Sequence, residues 1–254
     1  MIQLNRSEVK PPQDWEQVVA KRFKGTDRYQ AFLLVAIQFE ALDINDDVRR
    51  QGFTMYPCCG LPGKTKKDFP SLWGKAKPAL AKMSRRKCAY CEGEINAERS
   101  GQVEHFKPKA RFPTLAYDWG NYFLACGGCN GAKSDRWPAQ GGYLRPDAVD
   151  PTVYLVFQAD GSVAPVPDHT DAANTVHDFD LNRGWLVSRR RRHLLDVMSR
   201  VEGLVQVYQE NPQIAMKLVR AEWDRLCNPE NGYTAALTQC FRRSWNAKVP
   251  SDPL

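Results

Sequence analysis

Four cysteines in two pairs carry the densest chemical information in this 254-residue chain: Cys88 and Cys91, then Cys126 and Cys129. In a Cys-x-x-Cys pair the backbone turns tightly enough for both thiolates to face one metal, and two pairs complete a tetrahedral four-thiolate zinc site. Four unrelated buried thiols or a redox pair are the competing readings, and two pairs flanking a Glu-His core argue against both. Four cysteine ligands close the coordination sphere, so the expected zinc is structural and its binding energy becomes folding energy. The 34 residues between the pairs are more than a simple zinc ribbon needs, so something is folded inside them. They contain Glu104-His105 and Asn121, while Asn130 follows the last cysteine directly and Lys133 comes three positions later.

A Glu-His pair alone is an ordinary surface feature. Here it stands as Val103-Glu104-His105, followed by Asn121-Tyr122-Phe123-Leu124-Ala125-Cys126 and then Cys129-Asn130-x-x-Lys133. In that order the segment resembles the HNH nucleases. The resemblance implies an α+β fold: a ββα-metal core with a structural four-cysteine zinc site, embedded in N- and C-terminal helices. The histidine would sit on the first strand of a hairpin, the middle asparagine near the second strand, and the third letter at the opening of the following helix. That third letter is often histidine; Asn130 is a departure that some members share.

The implied chemistry is phosphodiester hydrolysis. An in-line attack by water needs a base, and neutral imidazole serves near pH 7, which makes His105 the candidate. The leaving oxygen and the charge on the phosphate call for a hard cation with oxygen ligands. The resemblance assigns Glu104 and Asn130 to that Mg²⁺ or Mn²⁺. Asn121 would hold the imidazole or its loop in orientation, and Lys133, with Lys107 and Lys109, would contact phosphate.

A wider resemblance rests on three features: the MIxLxR-like start, the Cys88-Ala89-Tyr90-Cys91-Glu92 form of the first pair, and His177-Asp178-Phe179-Asp180-Leu181-Asn182-Arg183 before an arginine-bearing helix. Together they resemble the HNH nuclease subunit of Septu-type anti-phage systems, also found with some retrons. That family works with an ABC/SMC-type ATPase encoded beside it. Another defence system using the same nucleases, such as Zorya, is the alternative. Two other functions compete with a DNA endonuclease: a non-catalytic zinc module that binds nucleic acid or a partner, and an RNase using the same site.

The elements that must position these residues divide into a helical N-terminal region with a basic lead-in (1–87), the HNH core (88–137), and a short β/turn segment followed by a helical region (138–254). Asp14 is placed to cap a helix from Trp15, and Phe32, Val35, Ala36, Phe39 and Leu42 mark a second helix. Nine Lys or Arg between Lys64 and Lys87 lead into the first cysteine pair and could follow a DNA backbone. Pro78 bends or starts a helix, with Leu72, Trp73 and Leu80 as anchors. Cys58-Cys59 has no second half and is not assigned a metal. Val153–Phe157 reads as a strand and Asp160-Gly161 as a hairpin turn. Three helices follow. Leu194, Met198, Val201, Val205 and Tyr208 line the first. Asn211-Pro212 opens the second, with Ile214, Leu218 and Leu226 apolar. Tyr233, Ala236, Leu237, Cys240, Phe241 and Trp245 line the third. Cys227 and Cys240 are expected in the core, and His169, His177 and His193 lack ligand spacing.

Net charge is +7 with pI about 9.0, a balance that suits a polyanionic partner. There is no apolar run of membrane-spanning length and no apolar signal core in MIQLNRSEVKPP, so a cytoplasmic protein is expected, where thiols stay reduced.

Overall fold

The computed structural model describes residues 4–23, 26–41, 72–95 and 101–254. Cys58-Cys59, Leu42 and the lysines of the basic run before residue 72 lie outside them. The fold is α+β, with the helices outweighing two small antiparallel hairpins.

The centre is a ββα unit. Strand β1 (Gln102–His105) pairs antiparallel with β2 (Tyr122–Ala125), placing Glu104 opposite Phe123 and His105 opposite Tyr122. A short helix, Gly127–Lys133, follows immediately. Successive strand residues face opposite sides of a sheet, yet Glu104 and His105 are both buried, so both faces of the hairpin are covered here. All four β2 residues are buried as well.

Helix α1 (Trp15–Arg22) and helix α2 (Thr26–Ala41) lie against the segment between the two strands. Phe23 and Phe32 meet Tyr117 at ring centroid distances of 5.3 and 5.9 Å. The Trp15 indole donates to the Tyr117 carbonyl (2.9 Å), and Glu40 accepts from the Thr114 amide and hydroxyl (2.8 and 2.6 Å). Asp14 precedes α1 in a left-handed conformation and makes no side-chain cap. Helix α3 (Trp73–Met83) packs on both strands through buried Ala76, Leu80 and Met83. Pro78 lies inside it, facing solvent; lacking an N–H it leaves one helical hydrogen bond unmade without ending the helix.

Numbering the ββα helix α4, the chain continues through α5 (Pro151–Tyr154), β3 (Leu155–Phe157), β4 (Val163–Pro165), α6 (Thr170–Asp178), α7 (Gly184–Glu210), α8 (Pro212–Cys227) and α9 (Thr234–Lys248). The expected strand from Val153 begins two residues later, because Asp150 caps a helical turn through the Thr152 amide. Asn211 caps α8 by accepting from the Ile214 amide (3.1 Å). The buried face of α8 is Ala215, Val219 and Leu226: Leu226 is buried as expected, whereas Ile214 and Leu218 are exposed and the adjacent Ala215 and Val219 take the core positions. Cys240 is buried as expected, whereas Cys227 at the end of α8 is exposed. The expected stripes of α7 and α9 do face the core, joined by Arg190, the one buried member of the four-arginine run. Among the described residues no helix is long and apolar enough to cross a membrane.

Gly161 shows how closely the β3–β4 turn sits on α7. Its φ is +90°, and a Cβ there would lie 2.3 Å from the Val187 carbonyl oxygen. Gly161→Ala should lower stability by at least about 1–3 kcal/mol from the backbone conformation alone. A thermal midpoint equal to wild type would show that the turn can lift off the helix.

Candidate active site and cysteine cluster

Cys88 and Cys91 sit in a turn pinned to the hairpin by the Ala89 amide, which donates to the Leu124 carbonyl (2.9 Å). Cys126 is the residue that caps α4, its sulfur accepting from the Cys129 amide (3.5 Å). The four sulfurs lie within 4.8 Å of one another, and Cys91 Sγ is 3.8 Å from Cys126 Sγ. Zn–S bonds of about 2.3 Å in a tetrahedron place sulfurs roughly 3.8 Å apart. Size and donor set therefore fit a zinc ion, and the cluster could hold one. It fixes the ββα unit at both ends, since one pair precedes β1 and the other opens α4.

A cleft of about 340 Å³ is lined among others by Trp73, Glu104, His105, Lys109, Asn130 and Asp135. The His105 ring is wedged edge-on between Trp73 (5.4 Å, 79°) and Tyr122 (5.0 Å, 86°). Its Nε2 lies 3.0 Å from the Ala116 carbonyl oxygen. A carbonyl only accepts, so Nε2 carries the proton and Nδ1 keeps the lone pair. Burial first, and then the nearby Lys109 ammonium, push the imidazole pKa down to about 3. The ring is thus neutral at physiological pH, the form that a general base requires. A phosphate entering the cleft would act in the opposite sense and raise its proton affinity.

Asn121 lies behind this ring rather than on it. Its Oδ1 accepts from the Lys107 amide (2.8 Å), and its Nδ2 donates to the Lys107 and Leu115 carbonyls (2.9 and 3.1 Å). It closes the loop from β1 to Ala116, whose carbonyl accepts both from His105 and from the Tyr122 hydroxyl (2.6 Å). The residue reaches the imidazole through its loop, by way of the Ala116 carbonyl.

Of the residues implied for a catalytic divalent ion, the structure brings Asn130 to the cleft with its amide nitrogen committed to Gln102 (2.6 Å). That leaves Asn130 Oδ1 as an oxygen donor for a cation. Glu104 is placed differently. One carboxylate oxygen accepts from the Tyr90 hydroxyl (2.6 Å), and the other is ion-paired with the Lys133 ammonium. The two side chains are only 2% and 1% exposed. Lys133 also donates to the His105 carbonyl (2.6 Å). The arrangement fits a cation on Asn130; it does not fit one on Glu104 while Lys133 neutralises that carboxylate.

The three lysines separate accordingly. Lys133 is an interior counter-charge instead of an exposed phosphate contact, because an ionised carboxylate on the inner face of β1 needs a partner. Lys109 lines the cleft with its ammonium 4.8 Å from the centre of the Trp73 ring, and burial lowers its pKa. Lys107 lies over the Phe112 and Trp137 rings (5.2 and 5.7 Å), away from the cleft lining. Tyr90, the Ala116 carbonyl and Arg183 were not marked out as site groups by residue type or spacing. Tyr90 and Arg183 do fall inside the two motifs that carry the wider resemblance, Cys88–Glu92 and His177–Arg183.

Residues 88–136 match the family model described as HNH endonuclease. Over 88 residues the chain is 36% identical to the Septu protein PtuB of Bacillus thuringiensis, covering 34% of each chain. Over 182 residues it is 25% identical to the Septu protein PtuB of Bacillus mycoides (strain KBAB4), covering 56% of this chain and 61% of the relative. The chain thus spans between about a third and three-fifths of these curated relatives. The geometry and these matches agree that residues 88–136 are an HNH endonuclease domain, carried in a PtuB-like chain.

Proposed function

We propose that the chain is a metal-dependent DNA endonuclease, the nuclease component of a Septu-type antiviral defence system that acts with an ABC/SMC-type ATPase. The observation that carries the hydrolytic reading is His105. It is a neutral imidazole whose Nδ1 meets no hydrogen-bond partner among the described residues, lining a cleft shared with Asn130 and Lys109 inside an HNH domain. His105 Nδ1 takes the proton of the attacking water, while the Nε2–H bond to Ala116 keeps the ring from turning away. Lys109 receives a phosphate oxygen. A Mg²⁺ or Mn²⁺ ion, when bound, supplies stabilisation of the charge on the phosphate and the leaving oxygen. Asn130 would hold it, joined by Glu104 once Lys133 gives up that carboxylate. The defence role rests on the Septu name of both relatives, and a net charge of +7 suits a DNA substrate.

One observation favours a second reading. With Glu104 saturated by Lys133 and Tyr90, the domain also suits a non-catalytic zinc module that binds nucleic acid or a partner. The test is incubation of the purified chain with supercoiled plasmid, and in parallel with RNA, in Mg²⁺ or Mn²⁺ and with EDTA. Nicking of the plasmid that EDTA abolishes is the expected result. Cutting of RNA alone would make it an RNase. Silence on both substrates, with and without an added ATPase and ATP, would favour the binding module.

A further inference from the structure

The His177–Arg183 segment takes no part in the hydrolysis described above, yet it supports both the cysteine cluster and the cleft. Phe179 lies flat on Tyr90, with centroids 3.8 Å apart and 25° between the planes, and Tyr90 in turn holds Glu104. Asp178 accepts from the Tyr143 hydroxyl (2.7 Å). Asn182 clasps Val163, accepting from its amide and donating to its carbonyl (both 2.8 Å).

Arg183 goes to the metal cluster itself. Its Nη2 lies 3.5 Å from Cys126 Sγ and 3.4 Å from Cys129 Sγ. Its Nη1 donates to the Phe179 and Asp180 carbonyls (3.3 and 2.9 Å), so the two ends of the guanidinium bridge the segment and the sulfurs. The face of the group covers Trp185 at 4.5 Å. A Cβ on Gly128 would come within 3.1 Å of Arg183 Nε, so the missing side chain at 128 lets the arginine close over the second cysteine pair.

We propose that Arg183 is a working part of the metal centre: it hydrogen-bonds the Cys126 and Cys129 thiolates, offsets their charge and slows loss of the metal. The proposal rests on reading the cluster as a zinc site. Four thiolates around Zn²⁺ leave a net charge of two minus in a largely buried place, where one fixed guanidinium compensates part of it. Groups that hydrogen-bond metal ligands commonly change metal affinity about 10–100-fold when removed. A lysine would keep the charge but lose the fork that ties the sulfurs to the Phe179 and Asp180 carbonyls.

The full chain as purified is assayed for zinc content, then mixed with excess 4-(2-pyridylazo)resorcinol, and zinc transfer is followed by absorbance. Arg183→Ala should speed transfer about 10–100-fold, with Arg183→Lys in between and able to carry the test if the alanine variant does not fold. Asn182→Ala loosens the same segment without touching sulfur and should leave the transfer rate near wild type. Arg183 variants that release zinc at the wild-type rate would overturn the proposal. So would an Asn182→Ala variant that releases it as fast as Arg183→Ala, because the effect would then belong to the fold of the segment. A wild-type chain without zinc would instead remove the zinc reading itself.

Discussion

His105→Gln should fold and fail to cut. Glutamine places an amide N–H where Nε2–H now meets the Ala116 carbonyl, and it fills much of the space between Trp73 and Tyr122. It has no nitrogen lone pair that can accept a proton near neutral pH. General-base catalysis contributes typically about 10²–10⁴-fold, so cleavage of the plasmid should fall by that amount with an unchanged thermal midpoint and unchanged DNA binding. Cleavage that persists at the wild-type rate in this variant would remove His105 from the reaction and shift the search to other groups in the cleft.

Lys133→Met is expected to be the most destabilising substitution near the site. An exposed ion pair is worth about 0–1 kcal/mol. Removing one partner of a buried pair leaves a charge without compensation and costs about 3–5 kcal/mol. Glu104 and Lys133 belong to the second class, at 2% and 1% exposure. Urea denaturation should show a lower midpoint with little change in slope. Adding Glu104→Gln to Lys133→Met should recover much of the loss, since the amide still accepts from Tyr90 but carries no charge. In the Lys133→Met single variant Glu104 has lost its cation, so Mg²⁺ or Mn²⁺ should raise the midpoint more than in wild type. A loss below about 1 kcal/mol would place this pair in the exposed class.

The parts of the site that could be read from the sequence are those fixed by spacing along one element. Two cysteines separated by two residues meet in a turn, and the pattern around Glu104, His105, Asn121 and Asn130 does place them in a ββα unit. What could not be read is which way a side chain turns when residue type and environment disagree. A lysine at the end of a short helix reads as exposed; Lys133 is interior because Glu104 is interior, and neither fact is visible without the other. Arg190 is the same case within its run of four, drawn inward by the Gly161 and Leu181 carbonyls. In α8 the sequence offers Ile214 and Leu218 beside Ala215 and Val219. Size favours the first pair for the core, but α7 and α9 receive the smaller residues. The link from Arg183 to the cysteines spans 54 and 57 positions, beyond any local pattern.

The bonds that brace the centre join distant parts of the chain. Arg6 donates to Asp147, 141 positions away, and to the Trp119 and Tyr122 carbonyls. Lys87 donates to the Asn231 carbonyl, 144 positions on, and Glu92 accepts from the Ala235 amide, 143 positions on. Contacts of such separation form late, because the intervening chain must first be drawn in. On the ribosome, residues 88–136 emerge well before 231–235, so the nuclease domain is translated before its C-terminal braces exist. The order of synthesis therefore keeps the centre incompletely braced until most of the chain has been made.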